Sequence, residues 1–268
     1  MLRVPQWPGG KSPRRDLTRW IVSVIGRGGD AMYVEPFAGM LGVLCSRRPS
    51  RFEIVNDISG DVYNWWTVVR DQPDELCRLL AATPRRGSEA HWRDAQHLCR
   101  TGESSVRRAY WFHLAAQNSV AGEYTGRSSF RRGSPGTDRM LSCEEVSDLA
   151  DRLADVRIWS LDAVAAIRRL ENFDAHRAED MLVYVDPPYR HVGNLYSGHA
   201  VDFAALAEAL LESSCRVAVS GYPDDWPELD GWDRYSFATR STASVGLSVD
   251  RVECLWLNFD PAHDPRLF

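Results

Sequence analysis

The apolar run Met181–Val185 ends abruptly in Asp186-Pro187-Pro188-Tyr189. Two adjacent prolines remove two backbone donors and fix two φ angles, so the chain can continue here as neither helix nor ladder. The reading that fits is a buried strand closed by a rigid turn. That turn offers a carboxylate, a carbonyl and an aromatic face side by side. The three groups suit a planar ring that carries an amine. The carboxylate and carbonyl accept the two amine protons, and the aromatic side chain stacks on the ring. A plain proline turn after a core strand is the alternative.

Strands alternate with helices on both sides of this turn. Ala31–Phe37 reads as a first strand, followed by a glycine-containing turn and a helix through Leu44. Phe52–Asp57 reads as a second strand. A helical pattern runs from Asp61 to Leu80, interrupted near Pro73, and Glu89–Asn118 is also mostly helical. Ser119–Leu141, rich in Gly, Ser, Thr and Arg and without periodicity, reads as a long loop or mobile hairpin. Ser142-Cys143-Glu144-Glu145 has capping-box spacing and opens a helix to Ala154. Val156–Leu161 and Met181–Asp186 read as strands with a helix between them. Asp202 caps a helix over Phe203–Glu212, Arg216–Ser220 is the next strand, and Arg234–Thr239 with Val252–Phe259 alternate like an antiparallel pair. The alternation predicts an α/β class, a Rossmann-like doubly wound sheet. Residues 59–155, mostly helix and loop, interrupt it and read as a domain inserted between core segments 1–58 and 156–268.

Composition narrows the class. With 44% apolar and 26% charged residues in 268, the chain reads as a soluble globular protein. It has no apolar run of bilayer length and no signal-peptide core, so no membrane association is expected. Six scattered cysteines without a C-x-x-C pair suggest reduced thiols in a cytoplasmic protein. His97 and Cys99 lie close together, but a second pair of zinc ligands is missing and no metal is expected. A formal charge of −5 argues against a generic nucleic-acid coat without excluding a local basic surface. Of 32 basic residues, 31 are arginine, which leaves Lys11 as the sole lysine.

Ligands of open α/β sheets bind outside the carboxyl ends of the strands. Glu35-Pro36-Phe37-Ala38-Gly39 closes the first strand, Asn56-Asp57 the second, and Asp186–Tyr189 a later one. Asp57 follows Phe37 by 20 residues, the separation at which an acidic side chain meets ribose hydroxyls. Gly39 would let backbone approach a nucleoside. Each is also readable alone as a polar strand end. Together they point to a nucleoside-containing cofactor. Gly9-Gly10-Lys11-Ser12 lacks the first glycine and the preceding strand of a phosphate loop, and no G-x-G-x-x-G follows the first strand.

These residues carry a family resemblance. Trp7-Pro8-Gly9-Gly10-Lys11, Tyr33-Val34-Glu35-Pro36-Phe37-Ala38-Gly39, Val55-Asn56-Asp57-Ile58 and Tyr184-Val185-Asp186-Pro187-Pro188-Tyr189 occur in family order. With the ending Arg251–Asn258, the chain resembles the Dam-like, alpha-class DNA adenine methyltransferases and their phage-type members. The resemblance implies S-adenosylmethionine as methyl donor, with Trp7, Gly10, Lys11, Glu35, Phe37, Gly39, Asp57 and Asp186 around it. Trp7 reads equally well as a packing anchor. Asp57 would bind the ribose, and Asp186 would lie between donor and substrate amine. Asp186, Pro187, Pro188 and Tyr189 would form the catalytic turn. Asp186 and the Pro187 carbonyl would accept the amine protons of a flipped adenine stacked on Tyr189. No cysteine sits in a Pro-Cys context, which argues against attack on cytosine carbon. One position departs from the pattern: Leu41 stands where the family's turn carries a second small residue, with Gly42 following.

Asp-Pro-Pro-Tyr turns also occur in RNA base methyltransferases, and Asn-Pro-Pro-Tyr turns in protein glutamine methyltransferases. Here 149 positions separate Phe37 from Asp186, room for a recognition module that compact RNA and protein enzymes lack. Arg107, Arg108, Arg127, Arg131, Arg132 and Arg139 lie among Asn118, Tyr124, Ser128, Ser129 and Phe130. Arginines pair with phosphates or read guanine edges, and Tyr124 or Phe130 could wedge into the base stack. Double-stranded DNA is therefore the expected partner, read chiefly by Asn118, Tyr124, Arg127, Phe130, Arg131 and Arg132. A solvated surface loop is the plain alternative. An RNA adenine methyltransferase and a catalytically silent nucleic-acid binder remain as rival functions. A monomer is the default, the setting a bacterial or phage-infected cytoplasm, and a cognate restriction nuclease stays open.

Overall fold

In the computed structural model, the residues described are 2–5, 7, 10–13, 15–82, 88–101, 105–122, 124, 129–131, 140–170, 179–190, 200–242 and 248–261. Its pivot is β4 (Met181–Val185), in which all five residues are buried. A strand covered by helices on both faces reads as an unbroken apolar run, as this one does. It lies parallel to β1 (Met32–Glu35) on one side and to β5 (Arg216–Gly221) on the other. Beyond β1 come β2 (Phe52–Asn56) and β3 (Val156–Trp159), both parallel. Beyond β5 the direction reverses. β7 (Ser248–Leu257) runs antiparallel to β5, and β6 (Asp233–Thr242) pairs with β7 at the edge. The sheet order is therefore β3-β2-β1-β4-β5-β7-β6, the doubly wound α/β arrangement that the alternation predicted.

The chain steps outward from β1 to β3, then crosses back to lay β4 against β1. That reversal leaves a crevice between the carboxyl ends of β1 and β4. Strand alternation divides the core. Tyr33, Val55, Leu182, Tyr184 and Leu255 face α1 (Asp16–Ile25) and the helices α2 (Gly60–Asp71), α3 (Pro73–Ala81), α4 (Glu89–Leu98), α5 (Val106–Asn118) and α6 (Cys143–Leu153). Val34, Ile54, Val183, Val217 and Val219 face α7 (Ala163–Leu170) and α8 (Phe203–Glu212). Helices α2–α6, inserted between β2 and β3, thus share one core with the sheet.

Local chemistry explains several boundaries. Pro73 separates α2 from α3 and sits in the first turn of α3, where its missing donor costs nothing. Ser142 Oγ accepts from the Glu145 N–H at 3.2 Å while Glu145 Oε2 accepts from the Ser142 N–H at 2.9 Å, the reciprocal box read from the sequence. Asp202 caps α8 through the Ala205 N–H at 3.0 Å. One expectation is corrected and one element is added. The helix after the first strand is only a 3-10 turn at Leu44–Ser46, because Gly39 (φ 44°) and Leu41 (φ 52°) hold the preceding turn in the left-handed region. α1, buried through Leu17, Ile21, Val22 and Ile25, was not anticipated. Within Ser119–Leu141, the described residues hold a 3-10 turn at Val120–Gly122 and one antiparallel bridge, Ser119 to Phe130.

At the opposite end of the sheet a buried carboxylate joins distant segments. Asp30 pairs with Arg47 through one oxygen and with Arg216 at 3.0 Å through the other. Arg47 also donates to the Gly26 carbonyl at 2.9 Å. Removing one member of a buried ion network strands the charges that remain. Asp30→Ala should therefore destabilise the fold by about 3–5 kcal/mol, read as a lower midpoint in urea denaturation.

Candidate active site

Asn56, wholly buried at the end of β2, stitches three strand ends together. Its amide donates to the Pro36 and Leu161 carbonyls at 2.9 and 3.0 Å, and its oxygen accepts from the Leu161 N–H at 2.8 Å. Asp57 follows. One carboxylate oxygen accepts from the Gly39 N–H at 3.0 Å and the other from the Ser59 N–H at 2.9 Å. The two strand ends read from the sequence therefore meet at the turn. Trp66 braces it by donating to the Gly39 carbonyl at 2.8 Å.

The turn explains the departure at Leu41. Leu41 is fully buried with φ 52°, a conformation that costs a non-glycine residue about 1–3 kcal/mol. Burial of its side chain offsets that strain. The close approach falls one residue later: a Cβ on Gly42 would stand 1.3 Å from the Lys11 carbonyl oxygen. A Cβ on Gly39 would meet nothing within 4 Å, so this side of the turn is open to a ligand.

Lys11 enters through that contact. The segment before it lies over Met40, whose sulfur accepts from the Trp7 N–H at 3.3 Å and whose side chain fills the space beside Gly10. Trp7 is buried between Trp66 and Phe112, ring centroids 6.0 and 5.1 Å away, so its packing role is real. Lys11 Nζ donates to the Tyr189 hydroxyl at 2.6 Å and stands 3.2 Å from Asp186 Oδ1. The Tyr189 hydroxyl in turn donates to Glu253 Oε2 at 2.7 Å. Arg190 pins the end of the proline turn, donating to the Asp225 carbonyl at 2.5 Å and pairing with Glu228 at 2.6 Å. Pro187 is buried, while Pro188 and Tyr189 are half-buried.

Electrostatics favour a cationic ligand. Asp186 and Glu253 flank the single ammonium of Lys11, and Asp57 lies at the Gly39 turn. Burial pushes the Glu35 carboxyl up to about 8, partly opposed by a hydrogen bond from Tyr33 at 2.7 Å. Burial also raises Asp186, with the Glu253 charge adding to it and Lys11 opposing. Burial works against the Lys11 ammonium, but Asp186 and Glu253 outweigh it and hold its pKa above the ordinary lysine value. Asp186 Oδ1 is buried and receives no well-directed hydrogen bond, so an acceptor stands ready at the turn. Trp7 Nε1 is a buried donor in the same condition. Vacant acceptor, open glycine side and acidic surround fit a nucleoside that carries positive charge.

Phe37 sits on the other side of the β1 end, packed toward the α7–α8 core. The residues expected to read DNA lie apart from this cluster. Asn118 donates to the Leu114 carbonyl at 2.9 Å, and its own carbonyl accepts from the Arg131 N–H at 2.7 Å. Phe130 packs against Trp92, centroids 5.8 Å apart. Tyr124 does not stand out as a wedge: it is buried edge-on to Phe112 at 4.7 Å, part of the aromatic core. Arg127 and Arg132 lie outside the described residues. Two site residues escaped the sequence reading. Tyr222, whose ring meets that of Tyr189 edge-on at 4.6 Å, follows β5 as Asp186 follows β4, so the strand-end rule would have found it. Glu253 shares its strand face with Leu255 and Leu257, and a carboxylate on an apolar face was the available signal.

Two tests follow from this geometry. The Glu35 carboxyl is raised in the fold above its ordinary 4.5, so its stabilising contribution is full below that pH and lost as pH rises through about 8. Glu35→Gln should remove this loss, with the variant gaining on the wild type in urea denaturation from pH 5 to pH 8. Gly42→Ala should push the Lys11 backbone away and destabilise the fold by about 1 kcal/mol or more, read as a lower midpoint in urea denaturation.

Comparison with known proteins bears on the same segments. Residues 7–94 match the family model for the D12 class N6 adenine-specific DNA methyltransferase. That stretch takes in Lys11, Glu35–Gly39 and Asp57 and ends before Asp186. A curated relative, the Type II methyltransferase M1.LlaDCHI of Lactococcus lactis subsp. cremoris, is 24% identical over 167 residues. The match covers 59% of this chain and 56% of that protein, so the chain spans little more than half of its relative. A solved structure, precorrin-8w decarboxylase of Methanobacterium thermoautotrophicum, aligns over 94% of this chain and 97% of its own. At 11% identity and a TM-score of 0.40, that likeness adds nothing to the fold read from the strand order. Over residues 7–94 the chain is thus similar to the D12 class of N6 adenine-specific DNA methyltransferases, and the curated relative is likewise a methyltransferase.

Proposed function

We propose that this protein transfers a methyl group from S-adenosylmethionine to the exocyclic amine of an adenine flipped out of double-stranded DNA. The observation that carries the reading is the meeting of Lys11, Asp186 and Tyr189 beside the Gly39–Asp57 turn. S-adenosylmethionine, when bound, supplies an electrophilic methyl group on a sulfonium. Asp57 would hold the ribose hydroxyls, and Gly39 would leave room for the nucleoside. Trp7, Gly10, Glu35 and Phe37 would border it.

The proline turn would do the chemistry. Asp186 Oδ1, a vacant buried acceptor, takes one amine proton into a hydrogen bond, and the Pro187 carbonyl takes the other. Together they draw the nitrogen lone pair out of conjugation with the ring and aim it along the transfer line. Asp186 would then receive the proton that the amine sheds as the nitrogen–carbon bond forms and the carbon–sulfur bond breaks, the bonding pair staying on the sulfur of the departing S-adenosylhomocysteine. Pro188 fixes the backbone, and Tyr189 offers its ring to the extruded purine. Most of the acceleration comes from positioning and from charge placed to meet the positive nitrogen of the transition state.

Residues 1–58 and 156–268 would form the transferase core, and 59–155 the target-recognition region. Asn118, Tyr124, Arg127, Phe130, Arg131 and Arg132 are assigned to it, with Tyr124 acting through packing. The partner would be duplex DNA. Among the described residues no cluster could hold a metal ion, and no helix is long and apolar enough to cross a membrane. A bacterial or phage-infected cytoplasm suits the activity, and the chain would act as a monomer, with or without a cognate nuclease.

Label from methyl-tritiated S-adenosylmethionine should enter adenine of duplex DNA, and Asp186→Ala should cut kcat by about 10³-fold or more. Label entering RNA and not duplex DNA would replace this reading with the RNA enzyme. Nucleoside binding with no transfer to either would leave a silent binder.

A further inference from the structure

We infer that Glu253, on β7, is a positioning residue for methyl transfer: it holds the Lys11 ammonium and the Tyr189 hydroxyl so that the Asp186 acceptor stays open to the target amine. This rests on the transferase reading above and assigns a role within the same site.

The topology brings Glu253 there. Ligands gather at the carboxyl edge of the parallel strands, and β7 runs the other way. Its early residues therefore arrive at that edge: Cys254 pairs with Gly221, the last residue of β5. Period-two alternation puts Glu253 on the face of Leu255 and Leu257, which is also the face of Tyr184 and Tyr33. It is only 8% exposed.

Hydrogen bonding gives it a function beyond burial. Lys11 donates to the Tyr189 hydroxyl at 2.6 Å, and that hydroxyl donates onward to Glu253 at 2.7 Å. Glu253 Oε2 also stands 3.7 Å from Lys11 Nζ, against 3.2 Å for Asp186 Oδ1. An ammonium beside one buried carboxylate closes on it with a directed hydrogen bond. Here a second carboxylate and a phenol pull from the other side. Lys11 thereby pairs with Asp186 at 3.2 Å and opposes the burial that raises it, yet leaves Oδ1 without a geometrically directed donor. The same hydrogen bond fixes the rotation of the Tyr189 ring, whose outer neighbour is Tyr222, itself accepting from Arg251 at 3.1 Å.

The groups that face Lys11 are Asp186, Glu253, Tyr189 and Tyr222. Those that face Asp186 are Lys11, Glu253, Tyr189, Tyr184 and Glu35. The Glu253 charge acts in the same sense on both, keeping the proton on Lys11 and favouring one on Asp186. Neutralising it therefore moves both limbs of the pH–rate profile to lower pH.

Lys11 is the sole lysine, so protein grown on ¹³Cε-lysine gives one lysine signal, readable without any turnover. In full-length Glu253→Gln, that signal should begin to titrate about one pH unit or more below the wild type. The same variant should lose about tenfold or more in kcat on duplex DNA, with KM for S-adenosylmethionine within about threefold. Glu253→Asp, which keeps the charge on a shorter arm, should restore the Lys11 titration but not the full kcat. Unmoved Lys11 titration in Glu253→Gln, with a pH–rate profile merely scaled down, would overturn the proposal and leave Glu253 a packing residue. A shifted Lys11 signal in a protein whose wild type methylates no DNA would support the Glu253–Lys11 coupling and sink the transferase reading instead.

Discussion

The ammonium of Lys11 ties together three parts of the chain that lie far apart in sequence: the segment before α1, the turn after β4, and β7. Burial of that charge is unfavourable, and it is the neighbouring carboxylates of Asp186 and Glu253 that outweigh it. The dependence runs both ways, because the ammonium opposes the burial that raises the Asp186 carboxyl. Withdraw Lys11 and the turn keeps its prolines but loses its reason to be acidic. The ends of β1 and β4 would keep their places, without the charge arrangement around Asp186.

What the sequence made legible follows from how locally each feature is encoded. Asp186-Pro187-Pro188-Tyr189 declares itself because proline geometry is fixed within two residues. The capping box before α6 and the Asp202 cap of α8 are four-residue codes, and both were read correctly. The sheet order could be anticipated only as a class, since alternation of strands and helices does not say which strand lies beside which. α1 was missed although Leu17, Ile21 and Ile25 have helical spacing. The helix expected through Leu44 failed for a different reason: a fully buried leucine adopts a left-handed backbone there, and only tertiary packing stabilises that.

The site itself was half legible. Lys11, Asp57 and Asp186 stood at strand ends or in motifs, positions that sequence alone can mark. Glu253 lies in the family-like ending Arg251–Asn258 but could not be placed in the site that way, because its position there arises from strand direction. Tyr124 shows the converse. An aromatic residue in a polar, arginine-rich stretch reads as a surface wedge, yet the cavity beside Phe112 claims its ring. Composition of a segment speaks for its average residue, and one large apolar group is free to disagree with it.

The reversal of β7 also orders events in time. Synthesis delivers Lys11 first and Asp186 much later, and until residue 253 has emerged the ammonium has one carboxylate to choose. The pair of carboxylates around Lys11 is complete only when the antiparallel strand lies between β5 and β6, so the charge arrangement at the strand ends depends on the whole sheet.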